Sequence, residues 1–268
     1  MVRSLKSEAV SMRVPPHPIS IPGPGGPIPA LKLGDCAPTR TAVILNYGLS
    51  GTMAVQWKEA ERLAAAGYAV LIPEAPHHGL REDGFLDRMT IAAAPEARSL
   101  FLDLVAESSR ETRFLVNHLA GSGASQFVVA GISMGGFAAL AVPQQDPRVG
   151  TVVAFLADPH WDDQPQSPHL RPEAWENVAL LAVVAAEDEV VPPHRMKSFT
   201  HELASRYKSR HRFACLEYQG GHTMDPADWD DAWSSAIRWL DRHLRGTCPM
   251  GAPGPSTASV SRSSGNHT

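Results

Sequence analysis

The chain alternates short, continuously apolar runs with longer amphipathic stretches. The short runs contain almost only apolar residues, many of them β-branched. Continuous apolarity, rather than a strict apolar–polar alternation, is typical of strands that are buried on both faces of a parallel sheet. The predicted strands are 42–45, 69–72, 126–130, 151–156, 179–185 and 213–218.

The amphipathic stretches between these strands have the spacing of helices with one apolar face. Strand and helix alternate along the chain, which predicts an α/β sandwich with helices on both faces of the sheet. A segment rich in proline and glycine precedes the first buried strand and predicts an N-terminal β-hairpin. Segments 83–96 and 157–177 fit neither pattern and are predicted to be loops over the sheet. The predicted helices are 54–66, 97–119, 193–207 and 227–244.

Length and composition fit one domain rather than several. The chain has 268 residues, of which 43% are hydrophobic and 19% are charged, enough for one large core. We expect a flexible N-terminus over 1–13 and one domain over 14–245. The tail over 246–268 is rich in Gly, Pro and Ser, a composition typical of disorder.

Charge and cysteine content narrow the expected partners and cellular setting. The formal net charge is −4 and the sequence contains no basic cluster, so neither nucleic acid nor an anionic membrane is indicated as a partner. No apolar run approaches the roughly 20 residues of a membrane span, and the N-terminus lacks the apolar core of a secretory signal. The cysteines (Cys36, Cys215, Cys248) show neither disulfide nor metal-ligand spacing. We therefore expect a cytoplasmic protein without metal or other cofactor.

Candidate chemistry begins at Gly131-Ile132-Ser133-Met134-Gly135. This Gly-x-Ser-x-Gly pattern follows a predicted strand and precedes the small-residue segment 137–141. In that context it is typical of a sharp strand–turn–helix elbow that exposes a nucleophilic serine above the sheet. Ser133 is therefore the candidate nucleophile.

A serine hydroxyl needs a base to accept its proton, and the base needs a carboxylate to orient it. Among twelve histidines, His222 stands out because it follows a buried strand in a Gly-Gly-His turn. Asp188 follows the strand 179–185 and is the preferred acid. Its neighbour Glu187 is the main competitor, and Asp158, after the preceding strand, is a third candidate.

These motifs together resemble the α/β-hydrolase superfamily, and within it the small bacterial serine esterases related to dienelactone hydrolase and to the prolyl-oligopeptidase catalytic domain. The resemblance implies a mostly parallel central sheet with helices on both faces, a minimal cap, and the chain order Ser, acid, His. Two departures stand out. Tyr47-Gly48 replaces the usual His-Gly, and Ser133 replaces the cysteine of dienelactone hydrolase proper, which argues against its lactone substrate. The segments that carry the resemblance are 46–51, 73–81, 131–136, 188–192 and 220–222.

By the same resemblance, the backbone N–H groups of Met134 and Leu49 are the expected oxyanion donors. Tyr47, His78 and Trp161 are expected to contact substrate, since they follow strands at the predicted catalytic edge. The adjacent His77 and His78 diverge and do not indicate a metal site.

The predicted function is hydrolysis of small to medium carboxylic esters through an acyl-enzyme intermediate. A peptidase or amidase, a thioesterase, and a non-catalytic binding protein of the same fold are the alternatives.

Overall fold

An eight-stranded sheet runs through the part of the chain that the computed structural model describes, residues 17–35, 40–161 and 164–245. The spatial order is β1-β2-β4-β3-β5-β6-β7-β8. From β4 onward in this order neighbouring strands are parallel, whereas β1 and β2 form an antiparallel hairpin whose second strand pairs with β4. The strands are β1 His17–Gly23, β2 Gly26–Leu33, β3 Thr41–Asn46, β4 Ala69–Pro73, β5 Gln126–Ile132, β6 Val149–Phe155, β7 Ala179–Ala185 and β8 Phe213–Tyr218.

Continuous apolarity in the sequence corresponds to strands that are buried on both faces. In β3, Ala42 and Ile44 pack into one core, while Val43 and Leu45 pack into the other. Side chains alternate between the faces of a strand, so both cores need apolar residues at successive positions. The prediction of an α/β architecture with a central, mostly parallel sheet is confirmed.

Helices cover both faces of the sheet. The first core includes side chains from α3, α4 and α5, and the second includes side chains from α1 and α6. All four amphipathic stretches that predicted helices contain one, with ends within a few residues of those expected. The helices are α1 Trp57–Ala65, α2 Phe85–Ile91, α3 Ala94–Gly121, α4 Met134–Ala141, α5 His194–Arg206 and α6 Pro226–Arg245.

The prediction of a loop over 83–96 was wrong, because this segment contains α2 and the start of α3. Helix α2 has only seven residues, too few to display a clear helical period. Tertiary contact holds it in place, since the ring of Phe85 stacks on His77 at 4.1 Å between centroids. In segment 157–177, the described residues (157–161 and 164–177) are irregular as predicted, apart from two short 3₁₀ turns, Pro168–Leu170 and Pro172–Trp175.

Several sequence-based expectations concern residues outside the described ranges, namely the flexible 1–13 segment, the 246–268 tail, Cys36 and Cys248. Cys215 lies on β8 as a free thiol, and burial raises its pKa to about 11. Within the described ranges, no helix is both long and apolar enough to cross a membrane.

Candidate active site

Ser133 occupies a sharp turn between the end of β5 and the start of α4. Its backbone has φ 51° and ψ −119°, a conformation that L-residues rarely adopt and that costs on the order of 1–3 kcal/mol. A side chain on Gly131 would overlap the backbone of Gly135, and a Cβ on Gly135 would lie 2.5 Å from the carbonyl oxygen of Asn46. The two glycines of the motif therefore permit the close approach that lifts Ser133 above the sheet.

A continuous line of hydrogen bonds joins Ser133 to His222 and Asp188. The Nε2 atom of His222 lies 3.0 Å from the Ser133 Oγ, and its Nδ1 lies 2.8 Å from Oδ2 of Asp188. With Nδ1–H donating to the carboxylate, Nε2 is left to accept the proton of the serine hydroxyl. These residues come from the ends of β5, β7 and β8, which meet at the carboxyl edge of the sheet.

The second oxygen of the Asp188 carboxylate is also fixed. Oδ1 accepts hydrogen bonds from the backbone N–H groups of Val190 at 2.9 Å and Val191 at 2.8 Å, and only 1% of the side chain is exposed. Neither competing carboxylate takes this place: Glu187 is exposed, and Asp158 accepts from the backbone of His160 and pairs with Arg195. The geometry therefore favours Asp188 among the three candidate acids.

Two backbone N–H groups are available beside the nucleophile. Met134 is the first residue of α4, so its N–H has no acceptor within the helix. On the loop after β3, a Cβ on Gly48 would lie 3.6 Å from the Ser133 Cβ, so this loop runs against the nucleophile. The N–H groups of Ser50 and Gly51 donate to His78 and Gly48, whereas that of Leu49 has no acceptor among the described residues.

Tyr47 lies behind this loop rather than on the substrate side. Only 1% of it is exposed; its hydroxyl donates to Oε1 of Glu74 at 2.6 Å and accepts from the N–H of Ala75 at 2.8 Å. Burial and the hydrogen bond to Glu74 raise the pKa of Tyr47, so the phenol is neutral. The side chain ties the loop after β3 to the loop after β4.

A second anchor of the same loop is His78, which is 2% exposed. Its Nδ1–H donates to the carbonyl of Pro76 at 2.7 Å, and its Nε2 accepts from the N–H of Ser50 at 3.1 Å. Burial lowers the pKa of His78, in agreement with the neutral imidazole that this pattern requires. Adjacent His77 turns away toward Asp83 and Glu107.

Tyr47, Glu74, His78, Arg81 and Glu111 form one buried polar group, which we call the support cluster. The guanidinium of Arg81 makes two hydrogen bonds with the Glu111 carboxylate, at 2.6 and 2.7 Å, and a third with the carbonyl of Glu74 at 3.0 Å. A cavity of about 10 Å³, room for about one water, lies between this cluster and the N-terminus of α4. The cluster thus sits directly behind the nucleophile turn.

The expectation that Tyr47, His78 and Trp161 contact substrate is not supported. Trp161 is fully buried; its indole N–H donates to the carbonyl of Asp158 at 2.9 Å, and its ring lies near Phe137. The sequence located these residues on the correct loops, but partners from distant segments bury all three side chains.

A cleft of about 310 Å³ borders the site and was not foreseen from the sequence. Phe137, one helical turn after Ser133, forms part of its wall, and the segment Val190–Pro192 beside Asp188 forms another part. Arg98 and Arg195 contribute its charged rim. The sequence did contain one indication of this cleft, because Phe137 lies four residues after Ser133 on a predicted helix and so on the same side of it.

Comparison with known proteins identifies the family and the fold of the chain. The family model of the dienelactone hydrolase family matches residues 37–244. The "Putative esterase YitV" of Bacillus subtilis (strain 168) is 24% identical over 235 residues, covering 75% of this chain and 89% of that protein. The chain therefore belongs to the dienelactone hydrolase family, and it is a hydrolytic enzyme of the serine-hydrolase type.

Solved structures show the same fold. TT1662 from Thermus thermophilus superposes with a TM-score of 0.69 at 24% identity, over 86% of this chain and 99% of that one. A Mycobacterium tuberculosis puromycin-hydrolyzing peptidase gives a TM-score of 0.68 at 16% identity, covering 88% of this chain but 40% of the peptidase. The α/β-hydrolase fold implied by the sequence is confirmed.

Proposed function

We propose that this protein is an esterase that hydrolyses small to medium carboxylic esters, with Ser133 as nucleophile, His222 as base and Asp188 as the orienting acid. The observation that carries the proposal is the line of hydrogen bonds from Ser133 Oγ through the imidazole to a buried carboxylate. This arrangement activates a serine hydroxyl at neutral pH, where it is otherwise a weak nucleophile.

In the first half of the reaction, Ser133 Oγ attacks the ester carbonyl carbon while His222 Nε2 takes the hydroxyl proton. The carbonyl oxygen becomes an oxyanion that accepts hydrogen bonds from the N–H groups of Met134 and Leu49, each of which contributes roughly 3 kcal/mol to transition-state stabilisation. Collapse of this intermediate breaks the bond to the alcohol, which leaves with the proton from Nε2. An acyl group then remains on Ser133.

In the second half, a water molecule attacks the acyl carbon and gives a proton to His222 Nε2. The tetrahedral intermediate collapses to the carboxylic acid, and Ser133 Oγ recovers its proton from the imidazole. During both halves the Asp188 carboxylate stabilises the imidazolium and holds Nδ1 protonated. Two backbone N–H donors, from Val190 and Val191, hold this carboxylate in its orientation.

The cleft beside the loop that follows Asp188 supports the size of substrate that we propose. Its volume of about 310 Å³ lies at the lower end of the range for small-molecule sites. Phe137 and Val190–Pro192 offer apolar contact for an acyl or alcohol group. Only the seven-residue α2 and short turns separate β4 from α3, so a large cap is absent from this described segment.

Turnover of a panel of p-nitrophenyl esters of increasing acyl length, set beside peptide anilides and acyl thioesters, tests the proposal. We expect kcat/KM to be highest for short and medium esters and to vanish in Ser133→Ala and His222→Ala. Preferred cleavage of anilides would replace the proposal with a peptidase or amidase, and preferred cleavage of thioesters with a thioesterase. Absence of turnover throughout, with folded protein, would favour a binding role.

A further inference from the structure

A second cleft, of about 550 Å³, lies at the opposite edge of the sheet from Ser133. The turn before β8 supplies Arg210, His211 and Arg212, and the last turn of α6 supplies Arg242 and His243. The cleft adjoins the amino end of β8, whereas His222 follows its carboxyl end. Six residues of strand separate the two edges by about 20 Å. This cationic cleft is therefore distinct from the catalytic site.

Positive charge is concentrated in the cationic cleft, and no carboxylate among the described residues is seen to neutralise it. Its lining includes no acidic side chain, although the whole chain has a formal net charge of −4. Across the described ranges, none of the arginines at 210, 212 and 242 forms an ion pair with a carboxylate.

Arg212 gives the cleft a fixed cationic centre. Its Nη2 donates to the backbone carbonyls of Trp175, Glu176 and Val178, at 3.1, 2.5 and 2.9 Å. The guanidinium also lies 5.1 Å from the ring centroid of Phe213. This group is held by the fold rather than left mobile, so its charge is oriented before any ligand arrives.

The pKa of His243 is consistent with a positive electrostatic potential in the cleft. The pKa of His243 is lowered by burial and further by the nearby Arg212 and His211. Favourable interaction with the helix dipole accounts for Arg242 and His243 at the end of α6, but it does not account for Arg210 and Arg212, which lie on a turn. The fold therefore brings together basic residues from two segments, and no single local interaction accounts for all of them.

We propose that the cationic cleft binds a small molecule that carries more than one phosphate group. Guanidinium groups match phosphate oxygens with paired, charge-assisted hydrogen bonds, and several of them around one cleft favour a polyvalent anion over a single carboxylate. The two imidazoles add N–H donors. The volume of the cleft accommodates more than one phosphate group.

Calorimetric titration of the full-length protein with inorganic tripolyphosphate, at constant ionic strength, tests this site. We expect saturable binding at one site per chain, weakened at least about tenfold in Arg210→Gln/Arg242→Gln. The matched control is Arg110→Gln/Arg113→Gln, which removes the same charge from two exposed positions on α3. We expect the control to bind within about twofold of the parent protein, because charges on another face contribute little at that ionic strength.

Absence of saturable binding would overturn the proposal, as would equal losses in the two double variants, which would indicate attraction by net charge alone. Equal affinity for sulfate would overturn the preference for polyphosphate and identify an adventitious anion site. Ester hydrolysis should be unchanged in Arg210→Gln/Arg242→Gln. This readout separates failure of the cleft from failure of the proposed esterase activity.

Discussion

Two polar groups lie at the carboxyl edge of the sheet and differ in what surrounds them. One is the support cluster, and the other is the hydrogen-bonded line from Ser133 through His222 to Asp188, which we propose to be catalytic and call the catalytic line. The line from Ser133 to Asp188 ends in a serine and a histidine that reach the surface, with 25% of the His222 side chain exposed. The support cluster is largely buried, and its Arg81 and Glu111 side chains form an ion pair with two hydrogen bonds. The catalytic line therefore keeps side chains within reach of a substrate, whereas the polar atoms of the support cluster are engaged in hydrogen bonds within the fold.

Because of this difference, substitutions in the two groups should affect different quantities, although the residues are close in space. Changes in the catalytic line should remove activity and leave the free energy of unfolding nearly unchanged. Changes in the support cluster should lower the free energy of unfolding and alter activity through the loop that carries Leu49.

The largest effect is expected for Asp188→Asn. The amide would hold the imidazole in the wrong tautomer and withdraw the charge that stabilises the imidazolium, so kcat should fall by about 10⁴. Steady-state hydrolysis of a p-nitrophenyl ester measures the loss. Glu187→Gln on the same loop is the matched control and should retain nearly full activity; loss of activity there instead would make Glu187 the acid.

The next largest effect is expected for Arg81→Met. Removing the guanidinium leaves Glu111, 5% exposed at its side chain, as an uncompensated buried charge. The free energy of unfolding, measured by urea titration, should fall by about 3–5 kcal/mol. Adding Glu111→Leu should recover much of this loss. If the single variant is as stable as the parent protein, the cluster does not support the fold as we infer.

A smaller effect is expected for Tyr47→Phe, which removes one hydroxyl and leaves the ring in place. Oε1 of Glu74 and the N–H of Ala75 would both lose a partner, at a cost of about 1–3 kcal/mol in the free energy of unfolding. Because the loop after β3 would be less firmly held, kcat should fall more than KM changes. A large rise in KM with an unchanged free energy of unfolding would instead indicate that Tyr47 contacts the substrate.

The catalytic line could be predicted from the sequence because its chemistry restricts both residue type and position. Few residue types can act as the nucleophile in a turn between two glycines after a strand. Asp188 and His222 each follow a strand, in the chain order that the triad requires. Tyr47, His78 and Trp161 were assigned to the correct loops, but their exposure depends on distant partners. The ring of Trp161, for example, lies near that of Phe137, and no local pattern reveals that contact.

The same limit explains the other features that the sequence did not reveal. Helix α2 is too short to display a period and depends on the contact between Phe85 and His77. The cationic cleft joins Arg210 to Arg242, which only the packing of α6 beside β8 brings together. The buried strands were predicted well because burial on both faces requires apolar side chains at consecutive positions, which is visible in the sequence.

The smallest effect concerns the pH dependence of stability at His78. Because burial lowers its pKa below the ordinary value near 6.5, the unfolded chain binds a proton there more readily than the folded chain. Stability should therefore rise as the pH rises through the range below 6.5, by at most about 1.4 kcal/mol per pH unit for this group. Urea titrations at several pH values should show a flatter dependence in His78→Gln. An unchanged slope would contradict this role.

Labelling with a fluorophosphonate probe, followed by mapping of the modified residue by mass spectrometry, tests whether Ser133 is an activated nucleophile. The probe reacts with a serine only where a base activates the hydroxyl and donors stabilise the phosphoryl oxygen. We predict one adduct per chain, on Ser133, with labelling strongly slowed in His222→Ala and retained in Tyr47→Phe. Folded protein that remains unlabelled, or is labelled at another serine, would contradict the account.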